Sequence, residues 1–221
     1  MVFRDESGLA AGVPVPPADC PLCPRLAAFR AANRQAFPDF HNAPVPSFGE
    51  VGARLLVVGM APGLRGANRT GRPFTGDYAG DLLYATLLKF GFAQGTYLRD
   101  PDDGLRLVDC RITNAARCVP PQNKLEPAET NTCRRFLTGD IAAMPNLRAV
   151  VVLGKDSHDS TVRTFGGKPS RLPFGHGAQH ELKPGVRLFA SYHCSRYNTN
   201  TGRLTTAMFE DVFTAVRQYL G

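Results

Sequence analysis

The feature that most restricts this chain is a series of short apolar runs, separated from one another by stretches of helical periodicity. The first, Arg54-Leu-Leu-Val-Val-Gly59, ends in glycine and offers no polar face. Such a run fits a strand covered on both sides, as in a parallel sheet. Upstream, Leu22, Leu26, Phe29 and Ala32 recur at helical spacing between Leu22 and Phe37, and a Pro/Gly-rich stretch from His41 to Gly52 ends that segment. Downstream, the pattern predicts a helix over Ala79–Phe90, a strand over Leu107–Thr113 and a helix over Ala128–Met144. A strand over Leu147–Gly154, a helix from Asp156, a strand over Arg187–Ser191 and a last helix over Thr205–Leu220 follow. This alternation predicts an α/β fold with three layers, α/β/α, around a central, mostly parallel four-stranded sheet. Residues 1–18, with Pro14, Pro16 and Pro17 close together, read as an irregular leader, and 19–221 as a single domain.

In such sheets a ligand sits outside the carboxyl ends of the strands, so the loops after Gly59, Thr113, Gly154 and Ser191 are the places to look. The loop from Gly59 to Gly80 holds six glycines, two prolines and three arginines in 22 positions. Glycines let backbone amides approach an anion or a carbonyl oxygen closely. Neither dinucleotide nor P-loop spacing is present. After the next strand, Asn114 places an amide where it could read the edge of a base, although a turn or cap is the commoner use of such a residue. After the last strand comes His193, then polar residues and Leu204, read as an exposed tip between Arg203 and Thr205 that could wedge between bases.

Charge narrows the partner. The chain carries 26 Lys+Arg against 19 Asp+Glu, a formal charge of +7, which favours an anionic ligand, nucleic acid foremost. No run reaches the roughly 18–20 apolar residues of a membrane span, and the N-terminus lacks the apolar core of a signal peptide, which predicts a cytoplasmic protein with no membrane partner. In a reducing compartment six cysteines are core residues or metal ligands rather than a disulfide framework. Cys20 and Cys23 form a CxxC pair, with Cys118 and Cys133 downstream; that spacing suits tetrahedral zinc and an iron–sulfur cluster equally. Cys110 and Cys194 read as small buried hydrophobes.

The segments GMAPGLRGANRTGRPFTGD and HCSRYNTNTGRLT, together with ITNAARCVPPQN and the four cysteines in order, resemble the family 5 uracil-DNA glycosylases over about residues 18–220. The resemblance implies a uracil-DNA glycosylase-like domain and a [4Fe-4S] cluster on Cys20, Cys23, Cys118 and Cys133, with zinc the lesser alternative. It further implies hydrolysis of the bond between a deaminated base and deoxyribose in DNA, on uracil and also on hypoxanthine or xanthine, as a monomer that starts base-excision repair. Phe74 would stack on the flipped base, Asn114 would bond its polar edge, and His193 would donate to the oxygen that gains charge. Gly59, Met60, Ala61 and Gly63 would line the base site. Better-known branches hold water with a polar residue where this chain has Met60 and Ala61, so the resemblance moves water contact to Asp77, with Asn123 beside it; Asp77 also reads as a helix N-cap. Arg65, Arg69, Arg72, Arg196, Asn198, Arg203, Leu204 and Thr205 are the candidate DNA contacts, although 21 arginines against 5 lysines leaves coding bias as another source of them.

Two other readings compete. One is a non-catalytic iron–sulfur or zinc module that binds nucleic acid. The other is an enzyme that traps its product covalently, which needs a histidine-bearing basic insertion near the second motif; none is seen. His176, in Phe174-Gly-His-Gly177, is left unassigned between pocket lining and turn stabilisation.

Overall fold

A computed structural model describes residues 15–221, so positions 1–14 of the expected leader lie outside the described residues. The chain runs α1 (Pro24–Ala36), β1 (Leu55–Gly59), α2 (Ala67–Thr70), α3 (Tyr78–Lys89), β2 (Ala93–Gln94), β3 (Arg106–Leu107) and β4 (Cys110–Asn114), then a 3-10 turn at Pro121–Asn123. It continues through α4 (Pro127–Ala142), β5 (Ala149–Leu153), α5 (Lys155–Thr164), β6 (Gln179–Lys183), β7 (Val186–Ser191), α6 (Arg196–Asn200) and α7 (Thr206–Leu220). Among the described residues no helix is long and apolar enough to cross a membrane.

The apolar runs do what their patterning demands. In β1 and β5 every residue is buried, and successive side chains go to opposite faces. Leu55, Val57, Val151 and Leu153 pack with Leu83 and Leu87 of α3 and with Phe209, Phe213 and Val216 of α7. Leu56, Val58, Val150 and Val152 pack with Leu137 of α4 and Val162 of α5. Each fully buried Leu, Val or Phe is worth about 1.5–3 kcal/mol over leaving it in water.

The sheet order is β4-β1-β5-β7-β6. The first four strands are parallel, as expected, but β6 adds a fifth, antiparallel to β7, which corrects the four-stranded expectation. Its sequence, Gln-His-Glu-Leu-Lys, has no apolar run because an edge strand buries only one face. The strand expected from Leu107 starts at Cys110 instead, since Arg106 and Leu107 pair with β2 in a separate two-stranded ladder. The chain leaves β1 toward β4 on one side and later fills β5 on the other. That switch in direction opens a crevice at the carboxyl ends of β1 and β5.

Candidate active site

The crevice widens into a cavity of about 500 Å³, reached by the ends of β1, β4, β5 and β7. Its floor follows from strand register. Gly59 pairs with Asn114, and the ladder runs on through Ala115 N–H to Gly59 O and Ala116 N–H to Met60 O, both 2.9 Å. A Cβ on Gly59 would stand 2.3 Å from Asn114 Oδ1 and 2.6 Å from Phe74 Cζ, so only glycine lets the amide and the phenyl ring share this floor. Phe74 itself has φ of +53°, a conformation that costs a bulky residue about 1–3 kcal/mol. Two hydroxyls hold it there: Tyr84 donates to Pro73 O at 2.6 Å and Tyr97 to Phe74 O at 3.1 Å.

His193 enters from beyond the end of β7. Its carbonyl accepts from Asn198 Nδ2 at 2.8 Å, and its ring lies 6.1 Å from that of Phe74 at 29°. Burial pushes the imidazole pKa down to about 4, with no partner to offset it, so the ring is neutral at physiological pH. Asp77 lines the same cavity. Its carboxylate caps α3, accepting from Gly80 N–H at 3.4 Å, so the cap and the cavity wall are one side chain. Burial raises its pKa against the pull of the Gly80 and Ala79 amides. The carboxylate fits only because Gly63 and Gly66 lack side chains, whose Cβ atoms would come within 2.9 and 2.1 Å of Oδ2. Asn123 also lines the cavity, from a turn in which it and Gln122 both have φ of +55°.

Met60, Ala61 and Gly63 line the same cavity, and Met60 and Ala61 offer it no side-chain group able to hold water as a carboxylate does. Arg196 stands at its rim with Tyr78, which lies under the guanidinium at 5.4 Å. Arg65 and Arg196 also wall an adjoining cleft of about 350 Å³ that reaches Asp77 from the other side. Arg69 is exposed, its Nε donating to Arg65 O at 3.0 Å. Arg203 is exposed over the Tyr192 ring, Asn198 is spent on His193, and Thr205 caps α7. The sequence reading did not single out Tyr78, Lys155, Asp156 or Ser195, which also line the cavity. The loop after Gly154 follows a strand end like the others, but nothing in Lys155-Asp156 distinguishes it from an ordinary helix start.

Two expected DNA contacts are corrected. Arg72 is buried in a bidentate pair with Asp103, 2.8 Å on each arm, with its guanidinium near the rings of Phe48, Tyr84 and Tyr97. It is committed to the fold. Leu204 is 1% exposed and packs in the core beside Phe209, because its N–H bonds Asn198 O at 3.0 Å and turns the chain inward. The aromatic ring this segment does present to solvent is Tyr197, 71% exposed.

Cys20, Cys23, Cys118 and Cys133 converge on a small, mostly apolar cavity between the start of α1, the loop after β4 and α4. Buried Arg30 donates to Cys118 Sγ at 3.5 Å and to Cys20 O at 2.9 Å, and Arg117 N–H points at Cys133 Sγ at 3.3 Å. Among the described residues no three His, Cys, Asp or Glu side chains close on a single metal ion. Cys110 and Cys194 are fully buried small residues, as expected, with Cys194 Sγ against Ala79 O.

A family profile described as the Uracil DNA glycosylase superfamily matches residues 46–217. The chain is 42% identical over 207 residues to a protein of Thermus thermophilus named Type-5 uracil-DNA glycosylase, covering 91% of this chain and 94% of the relative. It is 36% identical over 198 residues to a Type-5 uracil-DNA glycosylase of Pyrobaculum aerophilum, covering 88% and 86%. A Type-4 uracil-DNA glycosylase of Archaeoglobus fulgidus is 30% identical over 154 residues, 67% of this chain and 69% of the relative. With the register, the cavity and the motif residues in place, the chain belongs to the uracil-DNA glycosylase superfamily, on its type-5 branch.

Proposed function

We propose that this protein is a monomeric, cytoplasmic DNA glycosylase that hydrolyses the N-glycosidic bond of deoxyuridine in DNA, and that it also accepts hypoxanthine or xanthine. The observation that carries this reading is the convergence of Phe74, Asn114, a neutral His193 and Asp77 on one cavity at the strand ends. A base turned out of the stack would lie on the Phe74 ring with its polar edge on the Asn114 amide. As the C1′–N bond breaks, the bonding pair goes to the base and charge gathers on its oxygen. A neutral imidazole N–H stabilises that charge without first losing a proton to it. Water attacks C1′, and Asp77, with Asn123 beside it, positions that water and takes its proton. Raised by burial, the carboxylate is a stronger base than a free one. The wide cavity and its small wall residues Ala61, Gly63 and Ala67 leave room for a purine.

The four cysteines line one cavity, and a [4Fe-4S] cluster takes one thiolate per iron, so it does not need three of them on a single ion. Burial pushes the Cys23, Cys118 and Cys133 thiols up, Cys133 to about 12, so a bound cationic centre is what would make them thiolates. Arg30 and the Arg117 amide already donate toward sulfur. Held by these residues, the cluster supplies a cross-link between α1, the loop after β4 and α4.

Release of free base from an oligonucleotide with one deoxyuridine, by protein purified without oxygen, tests the activity. Wild type leaves an abasic site and His193→Ala loses about 10²–10³ in rate. DNA binding with no base release sinks the enzyme reading. Release of uracil but not of hypoxanthine or xanthine sinks only the broader specificity.

A further inference from the structure

His176 lies outside the base cavity, yet it grips the segment that carries His193 through atoms of fixed role. Its Nδ1 stands 3.2 Å from the backbone nitrogen of Tyr192, and its Nε2 stands 3.2 Å from the carbonyl oxygen of Met208 in the first turn of α7. A backbone N–H can only donate and a carbonyl can only accept. The two contacts are therefore made together by a single form of the ring, the neutral tautomer with hydrogen on Nε2. The Ser191 hydroxyl, 3.4 Å from Nδ1, is turned to Tyr192 O at 2.9 Å and leaves Nδ1 to the Tyr192 amide. That amide has no strand partner to replace it. The last link of β7 to its neighbour at this end is Gly154 N–H to Ser191 O, 2.8 Å, one residue earlier.

The His176 ring also stacks on the Tyr192 ring, 5.1 Å between centroids at 25°, and the Arg203 guanidinium packs on the same Tyr192 ring at 4.7 Å. Around His176, α7 contributes one charged group, Asp211, β6 the neutral Gln179, and β7 the neutral Ser191. We propose that His176 is a positioning residue for His193: it pins Tyr192, the residue just before His193, to α7, and through the Tyr192 ring it ties His193 to Arg203 on the DNA-facing loop. This rests on the glycosylase reading above. Proton uptake by His176 would set a second N–H against the Tyr192 N–H and release the pin. Burial opposes that protonation, while the Met208 carbonyl and Asp211 favour it.

The test compares wild type, His176→Ala and His176→Gln in single-turnover release of uracil from pH 5 to 8, alongside imidazole ¹H–¹⁵N spectra of the full-length protein. A glutamine amide can accept from Tyr192 N–H and donate to Met208 O, but it does not titrate. His176→Ala is expected to lose about tenfold or more in rate with the half-saturating enzyme concentration little changed, and its His193 ring resonances to shift. His176→Gln is expected to restore the neutral-pH rate and the His193 resonances, and to hold its rate further into acid than wild type. A wild-type rate in His176→Ala overturns the inference. So does a His176→Gln as slow as the alanine variant, or one with an unchanged acid limb. If wild type releases no uracil, the glycosylase reading fails, and the resonances of His193 in the two variants still decide the positioning role. Should His176→Ala not fold, the glutamine variant's pH profile and spectra decide alone.

Discussion

Asp77 serves two physical purposes with one carboxylate, and the two separate cleanly by substitution. Asparagine caps a helix about as well as aspartate, but it cannot take a proton from water. Asp77→Asn is therefore expected to melt like wild type and to lose about 10²–10⁴ in rate, whereas Asp77→Ala loses that rate and a further ~1 kcal/mol of stability. The same residue adds a limb of its own to the acid side of the pH profile, beside the one assigned to His176. Its carboxyl must be ionised to work, and burial raises its pKa, so rate falls as pH drops through that raised value. His193 becomes cationic only near pH 4 and leaves no mark on the neutral range. Single-turnover rates of wild type and Asp77→Asn across pH check both statements: the asparagine variant is slow throughout and lacks the Asp77 limb. An asparagine variant as fast as wild type would remove Asp77 from the chemistry.

At the scale of elements, what could be read from sequence was set by how many faces a segment buries. The strands β1, β4, β5 and β7 carry enough apolar side chains to show themselves, and the loops at their ends held the cavity residues that the motifs named. The polar strand β6 and the five-residue helix α6 bury too little to leave a period. The places of Arg72 and Leu204 are hidden from the sequence for a related reason. Each was assigned by its neighbours in sequence, but Arg72 is governed by Asp103, 31 residues away, and Leu204 by a turn that swings it under α7. Arg72 and Arg203 therefore predict opposite outcomes. Arg72→Ala leaves the Asp103 carboxylate with only the Leu98 and Leu105 amides and is expected to cost about 3 kcal/mol in urea or thermal unfolding. Arg203→Ala, on an exposed side chain, is expected to leave unfolding unchanged and to weaken DNA binding, with a shallower dependence on salt. Equal stability in the Arg72 and wild-type proteins would refute the structural assignment.

At the scale of the whole molecule, the side around α4 is held by buried polar groups beyond the sheet's two cores. Asp140 of α4 lies fully buried, with Arg111 of β4, Arg117, Ser47 and Thr113 directed at it. Burial raises its pKa, but Arg117, Ser47 and Arg111 outweigh that and hold it below the usual carboxylate range. Arg25 of α1 reaches Glu129 of α4 at 2.7 and 2.8 Å, beside the four cysteines. If those cysteines hold a cluster, Cys133→Ser is expected to lose iron and sulfide together, and to lower the melting temperature by loosening α1 from α4. Base release per folded molecule should fall only modestly, because Asp77 and His193 are placed by other elements while Asn123 lies on the loop between β4 and α4 that such a cluster would tie. Iron analysis, visible absorption and calorimetry on the same preparation check this. Zinc at one equivalent, with no iron or sulfide, would replace the cluster reading with a zinc site.

The cap at the start of α3 has a last consequence, for heat. Helix ends loosen long before a sheet does, because their opening exposes little apolar surface. The carboxylate proposed to hold the water sits at such an end, so warming would unseat it while the rest of the molecule stayed intact. The temperature of fastest turnover then belongs to one turn of helix and lies below the temperature of melting, and activity lost in that interval returns on cooling.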